Sequence, residues 1–361
     1  MDLEDIQAIR EKSVIYDIVV AELKELALAQ EYDADYLEEM LKYNKLNGIA
    51  YTGISLFKSY QLMAIESRQT KEYFRLTGYL IAISEILITA WTLVDDIIDG
   101  SVLRFRKKCW YNVVGVGRAT NDSHTLISCV YILLKKHFSH LDCYASLVDL
   151  MTEAIWRVSL GQHFDDKMSR ESFEKFTQEN YDLILNGKAS FCFFFQHGMV
   201  MILAGRTEPR AFARSRDLFL EIGYLAQVIN DFWDCYDYMD SSFKSGTDIE
   251  SGKCGWLAVQ CLKMASEEQR QVFEECYGKK DPQCIQKIKD LYDELNLSTL
   301  YFDYMKKSCA NLVAKAIENP GEIPSEIFKT IVNFYFKREI QFPNIIANYD
   351  VNGVKQYNCG I

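Results

Sequence analysis

Apolar residues recur along this chain at three- and four-residue spacing, and convincing period-two alternation is absent. That rhythm predicts helix after helix, each with a buried face, and hence an all-α fold. The spacing predicts helices over residues 3–29, 36–42, 54–67, 71–99, 123–137, 145–167, 172–204, 210–238, 254–263, 267–277, 282–317 and 325–338. Breakers agree, since the five prolines (Pro209, Pro282, Pro320, Pro324 and Pro343) leave the first 208 positions without one. No repeat or linker interrupts the series, so one domain is expected over 1–338, with a C-terminal extension over 339–361.

The polar positions that break this pattern carry the chemistry. The apolar stretch from Tyr79 to Val94 runs straight into Asp95, Asp96 and Asp99. Residues four apart share a helix face, so Asp95 and Asp99 point the same way. Carboxylates so close repel one another and suffer in apolar surroundings, and a hard divalent cation relieves both penalties. Asn230, Asp231 and Asp234 repeat the spacing near the end of a second apolar helix. A basic loop with Arg104 follows the first cluster, and a polar loop with Lys244 follows the second. Facing each other in a bundle, the two clusters would form a rim for Mg²⁺ above an apolar cavity, and the ligand implied is a diphosphate with a hydrocarbon tail. Asp165 is a candidate for the same metal set, or else a surface acid beside Asp166. Lys188 stands in an otherwise apolar helix, where a lysine is costly unless it meets an anion or reaches solvent. Lys253 is either a helix-start lysine or a phosphate contact.

Composition removes other classes. A net charge of −11 and a pI near 5.1 argue against a nucleic-acid partner. No run is long and apolar enough for a membrane span, and the acidic N-terminus does not read as a signal peptide. The 11 cysteines include no CxxC pair, which reads as reduced thiols in a cytoplasmic protein.

From Tyr43 to Arg338 the chain resembles the trans-isoprenyl diphosphate synthase family, its animal farnesyl type in particular. The matching segments are Asp95-Asp-Ile-Ile-Asp99, Cys109-Trp-Tyr111, Gly115-Val-Gly117, Asn121-Asp-Ser123, residues 133–138, Gly161-Gln162 with Asp165, Gly246-Thr-Asp-Ile249 and Lys253-Cys254 with Trp256-Leu257. The resemblance implies an α-helical bundle, a homodimer, and Mg²⁺, expected as three ions, on Asp95, Asp96, Asp99, Asp165, Asn230, Asp231 and Asp234. It implies diphosphate contacts from Arg104, Lys188, Gln227, Lys244 and Lys253. It also implies that Ala90 and Trp91 set cavity depth. Trp91, Phe191, Phe195 and Tyr224 are the candidate aromatic wall, each also readable as ordinary core.

Four positions depart from the family pattern. Where the family grips the diphosphate of isopentenyl diphosphate with Lys, Arg, Gln and Arg, this chain has Ile49, Thr52, Ile88 and Phe105. Charge-assisted contacts are worth roughly 1.5–3 kcal/mol each, so four losses predict little affinity for that second substrate. The expectation drawn is a class I terpene synthase on an isoprenyl diphosphate synthase scaffold, as in several insect lineages. It would be a carbon–oxygen lyase that ionises an allylic diphosphate, C15 first and C20 next. One alternative is a working prenyltransferase that binds isopentenyl diphosphate through substitutes such as Arg106, Lys107 and Lys337. The other is a silent regulatory subunit.

Overall fold

The computed structural model describes residues 3–45, 50–236, 246–318 and 324–341, with side chains described for 14–45, 53–236, 246–318, 324–332 and 336. Its helices are α1 (Leu3–Ala29), α2 (Ala34–Tyr43), α3 (Ala50–Met63), α4 (Lys71–Asp99), α5 (Tyr111–Val114), α6 (Val116–Phe138), α7 (Tyr144–Met168), α8 (Gln178–Gly187), α9 (Ala189–Leu203), α10 (Pro209–Tyr236), α11 (Trp256–Met264), α12 (Glu267–Cys276), α13 (Pro282–Glu294), α14 (Leu297–Glu318) and α15 (Ser325–Gln341). The all-α expectation holds. None of these helices is long and apolar enough to cross a membrane among the described residues.

Two helices form the centre. α4 starts on Thr70, whose side chain accepts from the Tyr73 N–H, and stops at Gly100 in the left-handed region at φ 63°. Between these caps it is buried on nearly every side from Leu76 to Ala90, the signature of a helix inside a bundle. α9 is buried at nearly every position from Ser190 to Leu203. α6 packs along α4, α10 packs along α9, and α7 and α8 close the ring.

The predicted boundaries fail where local geometry interrupts a continuous apolar rhythm. The helix expected over 172–204 is broken at Lys188, with φ −95° and ψ −90°, into α8 and α9. The helix expected over 282–317 is broken at Asn296, whose φ of 53° suits asparagine better than most residues. α6 begins at Val116 rather than 123, after a one-turn α5. The basic loop after α4 is a small antiparallel hairpin of β1 (Leu103–Arg104) and β2 (Lys107–Lys108), with Arg104 opposite Lys107. Its turn residues, Phe105 and Arg106, sit at φ 50° and 64°. α15 ends at Gln341, past the expected boundary at 338.

Candidate active site

The site is a cavity of about 350 Å³ walled by α4, α7, α8, α9 and α10 and by the segment around Lys253. Its mouth is charged. α7 brings Asp165 there because Gly161 lies against the α8–α9 break: a Cβ on Gly161 would stand 2.5 Å from the Gly187 carbonyl carbon and 2.6 Å from the Lys188 nitrogen. Only glycine permits that backbone contact. The contact sets Lys188 above Asp165, one turn further along α7.

Asp165 is the hub. One of its oxygens accepts from Lys188 Nζ and from Lys253 Nζ, each at 2.9 Å. Lys188 also donates to Asp95 at 2.9 Å. Lys253 lies 2.6 Å from Asp99. Arg104 spans Asp95 and Asp96 with ion-pair distances of 3.1 and 2.7 Å. Burial alone would lift the Asp95 and Asp165 carboxyls, but the neighbouring lysines, with Arg104 in the case of Asp95, hold both below the usual carboxylate range. Burial alone would lower Lys188, and Asp165, Asp95 and Asp99 instead raise it well above an ordinary lysine. Burial wins at Asp96, which is raised, and at Asp99, where the Asp95 charge adds to it.

The second acidic cluster is arranged differently. Asp231 is buried, and both its oxygens are taken: Tyr181 Oη at 2.7 Å and the Trp256 N–H at 2.9 Å donate to one, Gln227 Nε2 at 2.7 Å to the other. Asn230 is exposed at the cavity mouth. Asp234 accepts the Asp248 N–H at 2.9 Å and stands beside the cavity rather than on its wall. Asp96 likewise turns away from the cavity, toward Arg104 and a second, smaller cleft. Among the described residues no three acids, histidines or cysteines are placed to hold one metal ion, since the cavity-facing carboxylates are paired with lysine and arginine instead.

Several expected wall residues lie elsewhere. Trp91 lines the cavity, with Phe195 behind it in edge contact at 6.0 Å. Ala90 is fully buried off the wall. Phe191 turns away under the guanidinium groups of Arg157 and Arg216, at 5.0 and 5.4 Å. Tyr224 gives its hydroxyl proton to Asp182 behind the wall. The residues that do line the cavity, and that the sequence reading missed, include Tyr181, Cys192, Phe193 and Gln196. Cys192 and Gln196 follow Lys188 at four and eight positions, so the helical period from that one lysine would have found them.

The smaller cleft, about 30 Å³, lies on the other side of α4. Phe105 is on its wall, as are Lys45, Lys107 and Lys108. Lys107 Nζ donates to the Tyr43 carbonyl at 3.0 Å, and Tyr43 Oη donates to the Lys108 carbonyl at 2.9 Å. Thr92 and Arg104 line both spaces. Ile88 belongs to the large cavity, not to this cleft. Ile49, Lys244 and the side chains of Thr52 and Lys337 lie outside the described residues.

A profile of the polyprenyl synthetase family matches residues 34–295. Farnesyl pyrophosphate synthase of Murgantia histrionica is 30% identical over 333 residues, covering 91% of this chain and 82% of that protein. Farnesyl diphosphate synthase of Dictyostelium discoideum is 32% identical over 317 residues, covering 84% and 82%. Farnesyl diphosphate synthase of T. brucei, solved with risedronate, superposes with a TM-score of 0.84 over 92% of this chain and 99% of that one, at 24% identity, and shares its fold. These relatives correct the expected reaction type. They are named as synthases of farnesyl diphosphate, not as lyases, and the carbon–oxygen lyase assignment is overturned.

Proposed function

Because the chain belongs to the polyprenyl synthetase family, we propose that it is a prenyltransferase that joins isopentenyl diphosphate to an allylic isoprenyl diphosphate, with farnesyl diphosphate as the product. The observation that carries this reading is the pair of adjacent spaces sharing Thr92 and Arg104. One has paired acids and cations at its mouth over an apolar interior, and the other is bordered by Lys45, Arg104, Lys107 and Lys108 with a single acid, Asp96. A one-substrate enzyme needs only the first.

In the reaction the C1–O bond of the allylic partner breaks and the diphosphate leaves with the electron pair. The double bond of isopentenyl diphosphate then forms the new C–C bond at C1. A proton is lost from the adjacent carbon to the departed diphosphate, which restores a double bond. Lys188, Lys253 and Arg104 face the leaving group and neutralise it, which is stabilisation of charge as it develops. To do so they exchange their carboxylate partners for phosphate oxygens. The donor set suits Mg²⁺, being oxygen-only and acidic, and Asp99 Oδ1, now paired with Lys253 at 2.6 Å, faces the same mouth as Asp95. Asp95 and Asp99, with Asn230 across the mouth, would hold the metal once their lysines turn to phosphate, and the metal would supply further neutralisation of the leaving diphosphate. Ion counting on the analogue-bound protein tests the expected three.

The second diphosphate meets Lys45, Lys107 and Lys108, which supply charge on neighbouring positions where Ile49, Thr52 and Phe105 do not. A homodimer is part of the same proposal. Trp156 and Leu160, one turn apart on α7, are 65% and 48% exposed, and Ile132 on α6 is 45% exposed, a surface suited to burial between copies.

The test is incubation with Mg²⁺ and C5 or C10 allylic diphosphate, with and without isopentenyl diphosphate. A longer diphosphate formed only when both substrates are present is the expected result. A hydrocarbon or alcohol formed from the allylic substrate alone, or no turnover with any pair, overturns the reading.

A further inference from the structure

α9 carries a ruler. Lys188 caps its N-terminus, and Cys192 and Gln196 follow at four and eight positions, all on the cavity wall. At 1.5 Å per residue, Gln196 stands about 12 Å along the helix from the lysine that faces the diphosphate. The neighbouring wall positions are apolar, and Gln196 itself is only 6% exposed. Its Nε2 donates to the Cys192 carbonyl at 3.2 Å. Its carbonyl oxygen takes no hydrogen bond among the described residues, yet is not sealed off from space, so it opens to the cavity. Trp91, on the facing α4, carries a buried indole N–H without a partner. Its ring is braced by Phe195, the residue before Gln196.

A polar group of this kind resists being covered by hydrocarbon, because the tail displaces water and offers nothing in return. An isoprene unit adds four skeletal bonds, about 5 Å when extended, judged from ordinary carbon–carbon geometry. Two units reach the depth of Gln196 and a third must pass over its carboxamide. We propose that Gln196 sets the chain length of the allylic partner, admitting C5 and C10 and disfavouring C15, so that a C15 product leaves instead of being extended. The inference rests on the prenyl-transfer reading. The newly added unit of a C15 product lies toward the second cleft. Only re-entry of that product as an allylic substrate drives its tail past Gln196.

The test uses unreactive S-thiolodiphosphate analogues of the C5, C10, C15 and C20 allylic diphosphates. Calorimetry measures their binding with Mg²⁺ to the full chain and to Gln196→Leu and Gln196→Met. Wild type is expected to bind the C15 analogue at least tenfold more weakly than the C10 analogue. Both variants are expected to close that gap at least tenfold, and in turnover to release C20 product. Equal C10 and C15 affinities in wild type, or an unchanged ratio in both variants, overturn the proposal. Failure of isopentenyl diphosphate to be incorporated sinks the prenyl-transfer reading but leaves the binding ladder to decide the role of Gln196. Absence of binding at every chain length overturns both.

Discussion

The two spaces that meet at Thr92 and Arg104 solve opposite problems. The large one holds Asp95 and Asp99, partly buried, and Asp165, buried, beside Lys188 and Lys253 before any substrate arrives. Its charges are already desolvated and already paired, so the lysines hand one set of oxygens to another when a diphosphate enters. The small one, about 30 Å³ against about 350 Å³, has room for about two waters. Its lysines are turned onto protein atoms: Lys107 onto the Tyr43 carbonyl, Lys45 onto Asp17 and the Tyr16 ring. The first site is preorganised and the second must open. Deep charge networks are costly to break, whereas the shallow cleft can gain or lose a cation at modest cost. Of the four replaced positions, Phe105 is the one the structure places on the cleft wall, where a lost cation costs least.

The largest effect should come from breaking the deep network. In Lys188→Met, Asp95 loses one of its two cations and Asp165 keeps only Lys253. Removing one member of a buried ion pair costs about 3–5 kcal/mol, and removing one stabilising group from a transition state costs about 10²–10³-fold in turnover. Steady-state kinetics and urea unfolding should show both losses. Lys107→Met, the matching change in the cleft, should raise the KM for isopentenyl diphosphate roughly tenfold, the weight of one charge-assisted contact, with little change in stability. Equal effects from the two variants would erase the distinction between the spaces.

Next in size is an acid effect behind the wall of the large cavity. His197, on α9 but off the cavity wall, is stacked between Phe193 on the wall and Phe219 on α10, at 4.6 and 4.4 Å. Burial pushes its pKa down to about 4. The unfolded chain takes up the proton near its ordinary pKa of about 6.5, and the folded protein does not until about 4. The stability due to neutral His197 is therefore complete above about pH 6.5 and is lost as pH falls toward 4, by about 3 kcal/mol in all. His197→Phe should flatten that part of the unfolding curve.

The sequence made some of this site legible and hid the rest for physical reasons. Asp95 and Asp99 were readable because carboxylates at the end of an apolar helix contradict their surroundings, and Lys188 was readable for the same reason. The aromatic wall was not. α9 is buried all round, so only the period from Lys188 to Gln196 marks its cavity side, and Phe193 faces in while Phe191 faces Arg157 and Arg216. Asp231 looked equivalent to Asp95, but its oxygens are filled by Tyr181 and by the Trp256 N–H, partners distant in sequence. The reaction class was misread by counting cations at fixed positions. An anion site is defined by charge in space, and Lys45, Lys107 and Lys108 border the cleft from positions the family pattern does not mark.

A third test adds charge to the cleft rather than removing it. Phe105→Arg puts a guanidinium on the cleft wall and should lower the KM for isopentenyl diphosphate roughly tenfold, one charge-assisted contact of about 1.5 kcal/mol. The KM for the allylic partner should stay within about twofold, since Phe105 does not touch the large cavity. A fall in both would mean that the two diphosphates share one field, and the comparison would need redrawing.

The smallest effect concerns the turn itself. Phe105 and Arg106 occupy the left-handed region side by side, the backbone of a two-residue hairpin turn that favours Asn-Gly. A side chain there costs about 1–2 kcal/mol relative to glycine, and glycine gives back roughly 0.5–1 kcal/mol through unfolded-state entropy. Arg106→Gly should therefore stabilise the fold by somewhat under about 1 kcal/mol, measured by urea unfolding. Arg106 is exposed, and the contact its side chain makes is lost in the variant, which trims the gain. The pairing of Arg104 with Lys107 fixes the strands on either side of this turn, and through them the placing of Lys107 against Tyr43. A stabilised variant with an unchanged KM for isopentenyl diphosphate would show that the strain is incidental to the cleft. A stabilised variant with a raised KM would show that a stiff, strained turn presents Lys107 to the second diphosphate.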